Sequence, residues 1–498
     1  MPVGQLRFIV PERSRLTDRA VQQAYLTGFD PIPSFCRARF ADNGDLLVER
    51  EGFDSVKLNI PYRIDGRGEP LTATGTLAQR ERPYLLPLEL ARGKLNVLRN
   101  QIAEWEQAGF ETSPELRGLI HTATRHLTDA AVRQNEPKVA VMFAHESLVD
   151  TLEAAELAAR IYTQQALAVR HRSVAKLPIA FGSSLGRQPL EKGLMKLAQA
   201  VCNTAVVPLS WKQVVPNEDE YQWEAYAEQL DWCRTLGINT CAGPLIKLDD
   251  RGFPTWLNAW QQDVDAIAAF AAEYTAKVVT QFRGRVSFWN CASFSYRQHQ
   301  LGLRDEEKLR IISRVVETIR RIDADTPLIA CFDQPWGEYL RKVPMAYAPI
   351  HIADHLVRSG LPIAALGLEI EVGYLPDGTY LRDSLELSRL IDTWSLLGVP
   401  LYIFLAAPSA ESDDARVDSK AVPVEGAWPG GWTPEGQAEW VRAVVPMLLA
   451  KPSVQGIAWQ QFRDDEPHEL PHAGLFDAAG RPKPVLSALT TLRGEHLL

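Results

Sequence analysis

Residues 365–372 read Ala365-Leu366-Gly367-Leu368-Glu369-Ile370-Glu371-Val372, a short apolar run interrupted by two glutamates two positions apart. As a strand, this run carries both carboxylates on one face. The same texture repeats on either side of it. Candidate strands at 178–182, 205–209, 239–245, 286–290, 328–332, 400–405 and 454–460 are separated by helix-compatible sequence such as 306–322 and 384–397. Strand–helix alternation predicts parallel βα units. Eight of them in about 320 residues predict an α/β fold, a closed (β/α)8 TIM barrel over 177–498. An open doubly wound sheet calls instead for a glycine-rich phosphate turn after its first strand. Gly182-Ser183-Ser184-Leu185-Gly186 has its glycines at the wrong spacing for that turn.

Two other textures precede the barrel. Residues 1–82 alternate like strands and predict a β-rich module, a small sheet or sandwich. Within it Phe35-Cys36-Arg37-Ala38-Arg39-Phe40 and Leu46-Leu47-Val48 flank Asn43-Gly44. Asn-Gly between such runs predicts a hairpin with φ > 0 at both turn positions. Residues 83–176 are helical. Leu88, Ala91, Leu95, Leu98, Ile102 and Trp105 mark one helix face, and Gly109 is placed to end that helix. Ser113 then caps a second helix, with Pro114 at its first position. A third, from about 137 to 172, would span roughly 50 Å and predicts packing against neighbours or self-association.

Composition narrows the function. The chain has 498 residues, 46% of them hydrophobic, and a net charge of −9 without long runs of either sign, so a basic nucleic-acid footprint is absent. The start lacks a signal-peptide pattern and no apolar stretch approaches a membrane span, which predicts a cytoplasmic protein without a membrane partner. Six cysteines without CxxC or zinc-finger spacing predict buried free thiols. His351 and His355 are spaced i, i+4 but belong to no HExxH, so no metal or other cofactor is expected.

In (β/α)8 barrels the working residues lie at the C-terminal strand ends. Here those ends supply Trp211 and Lys212, Trp289, then Asp333, Gln334 and Trp336, and finally Trp459, Gln461 and Asp465. Trp428 and Trp432 lie in the loop after the seventh strand. Aromatic faces beside amides and carboxylates suit a polyhydroxylated ring, so a carbohydrate or glycoside ligand is expected at these residues. His468 and His472 follow the eighth strand within reach of such a ligand.

Several segments carry a family resemblance. They are Leu366-Gly367-Leu368-Glu369-Ile370-Glu371, Leu397-Gly398-Val399-Pro400-Leu401-Tyr402-Ile403, Lys451-Pro452-Ser453-Val454-Gln455-Gly456-Ile457-Ala458-Trp459, Gly474-Leu475-Phe476-Asp477 and Arg481-Pro482-Lys483-Pro484. Over roughly 177–495 the chain resembles the glycoside hydrolases of family 10, the xylanase family of retaining (β/α)8 barrels. Residues 84–101 resemble the front half of larger, multi-domain members of planctomycete type.

Retaining cleavage needs two carboxyl groups about 5–5.5 Å apart. The resemblance puts the acid/base glutamate at the end of Trp289-Asn290-Cys291-Ala292-Ser293-Phe294, where Phe294 stands. It puts the nucleophile at Phe404 or Leu405. Neither position is ionisable, so the resemblance implies a degenerate barrel that binds a carbohydrate or a protein partner without that chemistry. The alternatives are an active hydrolase with relocated carboxylates, Glu369 and Glu371 working with Asp333 or Asp465, and an assembly protein that uses the helical region. The ordinary role for those glutamates is pairing with Lys212, Lys247 or Arg463.

Overall fold

The computed structural model describes residues 3–297, 301–343 and 346–498. Eight parallel strands form the barrel: β1 (Ala180–Ser183), β2 (Thr204–Val207), β3 (Asn239–Ala242), β4 (Phe288–Phe294), β5 (Leu328–Asp333), β6 (Ala365–Glu371), β7 (Leu401–Ala406) and β8 (Val454–Trp459). Each pairs in parallel with its neighbours from β2 round to β1. The seam between β1 and β2 closes through the Ser184–Val206 bridge, with Leu185 N donating to Val206 O at 2.9 Å. The chain is therefore a (β/α)8 barrel, at the strand positions that the repeating texture predicts.

Side chains alternate between lumen and helix shell as the strand period requires. Cys331, Phe404 and Tyr402 pack inside, while Phe332, Leu368, Ile403 and Leu405 join the core under the helices. An irregularity between Asn290 and Ala292 shifts the alternation on β4. Gly367 makes room for this lumen packing. A Cβ there would lie 2.1 Å from Cys331 Sγ and 3.1 Å from the Phe404 ring.

Three long helices precede the barrel: α1 (Leu86–Gln107), α2 (Pro114–Val132) and α3 (Pro137–Ser173). Gly109 follows α1 with φ +94°, and the Ser113 hydroxyl accepts from Leu116 N at 3.1 Å to cap α2. The helices lean on the barrel of their own chain. Lys94 pairs with Asp383 at 2.5 Å, and the Glu156 carboxylate accepts from Ser384 N and Oγ at 2.9 and 2.6 Å. Arg170 donates to Lys451 O at 3.1 Å.

The N-terminal strands form a four-stranded and a three-stranded sheet. Their apolar residues share one core with Leu86, Leu90, Leu148 and Leu152 from α1 and α3. The hairpin joining Arg37–Phe40 to Leu46–Glu51 is present. Its turn differs from the expected two-residue form. Ala41 N donates to Asp45 O, Gly44 N donates to Ala41 O, and only Gly44 has positive φ. Asn43 instead uses its side chain, which accepts from Asp45 N at 3.2 Å.

This N-terminal part also docks on the barrel mouth. Leu71 N donates to Leu381 O at 2.8 Å, Glu69 N to Ala427 O at 2.9 Å, and Arg341 Nη1 to Gln22 O at 3.0 Å. Among the described residues no helix is long and apolar enough to cross a membrane. All six cysteines are buried free thiols.

Candidate functional site

The floor of the barrel mouth is built on β6. Period two sends Glu369 and Glu371 to the same side, and both are buried. From β4, Ser293 Oγ donates to Glu369 Oε1 at 2.6 Å. Burial pushes the Glu369 carboxyl up to about 7; Lys247 opposes this, while Glu371 and Asp333 add to it. Glu371 is held differently, in an ion pair with Arg297. Arg297 also reaches Asp333 at 3.1 Å, and Ser295 Oγ donates to Asp333 at 2.6 Å. Burial raises the Asp333 carboxyl against the pull of Arg297.

A second ion-pair group stands beside the first. Arg251 joins Asp249 at 3.0 Å and Glu469 at 2.7 Å, and Lys247 joins Glu469 at 2.9 Å. Burial alone would raise the Glu469 carboxyl, but Arg251 and Lys247 hold it down at about 2. The floor thus interleaves Arg297, Arg251 and Lys247 with five carboxylates. Of those five, Glu369 alone has no cation within 4 Å among the described residues.

Two adjoining cavities open over this floor. The inner one, about 150 Å³, is lined by Glu369, Phe404, Asn290, Lys247, Gln460 and Gln461 among others. The outer one, about 800 Å³, has Tyr296, Tyr339 and Tyr380 in its wall. Arg187, Gln213, Arg251 and Glu469 border both. Tyr296 and Tyr339 stack at 3.8 Å between ring centres, with planes 8° apart. Gln334 also lines the outer cavity. Its φ is +42°, an uncommon region for a residue with a side chain, and its buried Nε2 has no partner among the described residues.

These positions revise the ligand residues expected from the strand ends. Lys212, Gln334 and Gln461 line the cavities. Trp211, Trp289 and Trp336 do not, because strand alternation and the following turns send them into the shell. Trp211 stacks on Tyr274, and Trp289 Nε1 donates to Asp323 at 2.9 Å beneath the helices. Trp336 joins the same apolar core. Trp459 touches the inner cavity but is only 1% exposed, with Nε1 donating to Ala473 O at 2.7 Å. Asp333 is buried in the floor and lines neither cavity, and Asp465 points to solvent beside Arg463.

The aromatic wall is therefore made of tyrosines. Tyr296 and Tyr380 come from loops and Tyr339 from a single 3-10 turn (Glu338–Arg341), where no periodicity marks them. His468 lines the inner cavity, with Nε2 3.0 Å from Asp414. The neighbouring His472 sits 2.8 Å from Ser412 O. Among the described residues no group of three or more His, Cys, Asp or Glu side chains could hold a metal ion.

The strand ends that the resemblance singled out also divide. Phe404 faces the lumen and lines the inner cavity, whereas Leu405 lies in the shell. Phe294 turns outward and stacks on Phe332 at 5.0 Å, so it does not occupy the mouth. The lumen side of β4 presents Asn290 and Ser293 instead.

Endo-1,4-beta-xylanase B of Thermotoga neapolitana is 22% identical over 337 residues, covering 64% of this chain and 88% of that protein. The barrel is xylanase-like. Among solved structures, native xylanase 10B from Thermotoga maritima has 17% identity and a TM-score of 0.48, covering 64% of this chain and 96% of its own. The family 10 structure from Paenibacillus barcinonensis has 15% identity and a TM-score of 0.48, covering 66% and 98%. No family model matches the chain. The likeness covers about two thirds of this xylanase-like chain.

Proposed function

We propose that the barrel binds a carbohydrate in its mouth and has lost the retaining hydrolysis of the xylanases it resembles. The observation that carries this reading is Phe404. It lines the inner cavity beside Glu369, at the strand-7 end where the resemblance calls for a nucleophile. A phenyl ring cannot attack an anomeric carbon. On β4 the lumen-facing groups are an amide and a hydroxyl, so the general acid, worth about 10²–10⁴-fold, is also missing. The remaining floor carboxylates other than Glu369 are tied to Arg297, Arg251 or Lys247.

Binding is supported by Tyr296, Tyr339 and Tyr380 along the wall, by the buried Gln334 Nε2 that has no partner among the described residues, and by a cavity large enough for several sugar rings. The helical region acts as a buttress for the barrel. Titration calorimetry with xylotetraose tests the reading. Heat of binding that is lost in Tyr339→Ala supports it, and no binding by the intact chain at millimolar sugar refutes it.

A second reading, hydrolysis through relocated carboxylates, is favoured by one observation. Glu369 near 7 and Glu469 near 2 both border the inner cavity, and environments that push two carboxyls apart mark an acid and a base. It replaces the Glu369–Glu371 pairing expected from sequence, because Glu371 is bound to Arg297 and lines neither cavity.

A further inference from the structure

We propose that the outer cavity selects a sugar bearing carboxylates, an acidic oligosaccharide of the uronate type. This rests on the carbohydrate reading above and adds the charge of the ligand. The floor cations are already matched by carboxylates, but those at the rim are not. Lys212, Arg341, Lys342 and Lys420 line the outer cavity, and among the described residues none has a carboxylate within ion-pair distance. Arg341 donates to Gln22 O and Lys212 to Asp250 O, both neutral main-chain acceptors.

The other rim carboxylates are engaged or few. Asp418 pairs with Arg187, and Glu338 pairs with Arg382. Setting Asp377 and Asp250 against two of the four cations still leaves two positive charges at the rim, while the surplus carboxylates lie on the buried floor beneath. A positive rim on a chain of net charge −9 is the reverse of what composition alone would give.

Gln334 supplies the second, independent observation. It is 5% exposed, lines the same cavity, and holds an amide N–H donor without a partner among the described residues, in a left-handed backbone conformation. A buried orphan donor costs free energy unless a ligand or water accepts from it. A donor in the wall and ammonium groups at the rim together call for an acceptor-rich, negatively charged ligand. Tyr296, Tyr339 and Tyr380 line the same cavity, and aromatic edges beside hydrogen-bonding groups suit a polyhydroxylated ring. A sugar ring carrying a carboxylate combines both.

The test compares tri-galacturonate with xylotetraose by titration calorimetry on the full chain at low and high salt. The proposal expects the acidic sugar to bind roughly three- to tenfold more tightly at low ionic strength, the effect of a few solvent-exposed charges. That preference should shrink as salt is added. It should also fall in Lys342→Ala/Lys420→Ala, a change of exposed side chains, while xylotetraose affinity stays within twofold. Equal affinity for the two sugars would overturn the acidic specificity and leave the carbohydrate reading standing. Binding of neither would overturn both. Displacement of tri-galacturonate by an equal concentration of acetate would show a bare anion site and overturn the sugar part of the proposal.

Discussion

Ser293 on β4 and Glu369 on β6 meet over the intervening strand β5, the serine hydroxyl donating a 2.6 Å hydrogen bond to the glutamate carboxyl. The bond favours the ionised carboxylate, while burial favours the neutral acid and dominates. Ser293→Ala removes the only interaction of the two that supports the charge. The Glu369 pKa should therefore rise further above about 7, read by carbon NMR of the carboxyl against pH.

Glu369 also makes stability depend on pH. Its folded pKa lies above the unfolded value, so the native state holds the extra proton between the two. Stability from this group is complete below about 4.5 and declines as pH rises through about 7. The shift corresponds to about 3 kcal/mol, an order-of-magnitude figure for a buried group. Urea unfolding at pH 5 and pH 8 should show the decline, and Glu369→Gln should flatten it.

Arg297 should be the most sensitive floor residue. It ties Asp333 and Glu371 together in a buried site. Arg297→Met leaves both carboxylates without their cation, and breaking a buried pair in this way costs about 3–5 kcal/mol. The midpoint of urea unfolding should fall accordingly at pH 7 and recover in part as pH is lowered, because burial already raises the Asp333 carboxyl and favours its neutral form.

The N-terminal sheets should matter for the cleft as well as for stability. Arg382 pairs with Glu338 at 2.7 Å and donates to the Tyr25 hydroxyl at 3.3 Å. Glu338 and Tyr339 belong to the cavity wall, and Tyr25 belongs to the N-terminal part. Arg382→Met should therefore weaken xylotetraose binding by loosening the Tyr339 platform, by about tenfold if the stacked pair is lost. Calorimetry against the parent chain gives the comparison. Unchanged affinity would mean that the wall stands without this clamp.

The contrast between fold and site explains what could be read from the chain. The barrel was legible because apolar strand runs and amphipathic helices repeat eight times, and each repeat is a local signal. The glutamates of β6 were legible for the same reason, since period two fixes their common face. The strand-end tryptophans are not ligand residues by side-chain chemistry alone, because burial decides where a large ring goes. Trp211, Trp289 and Trp336 lie near strand ends, but burial of a large apolar ring favours the shell over a wet mouth. Phe294 misled through register, because the irregularity after Asn290 changes which β4 side chains face inward. Arg297, Arg251, Glu469 and the three wall tyrosines left no pattern. They come from loops and one 3-10 turn far apart in sequence and meet only once the barrel closes.

The central claim, sugar binding without retaining hydrolysis, is tested most directly by a long incubation. Xylotetraose is held with a stoichiometric amount of the full chain, and the mixture is followed by mass spectrometry. A binding-only barrel leaves a bound fraction and an unchanged tetrasaccharide. Steady release of xylose or xylobiose that disappears in Glu369→Gln would contradict it and establish the relocated-carboxylate mechanism in its place.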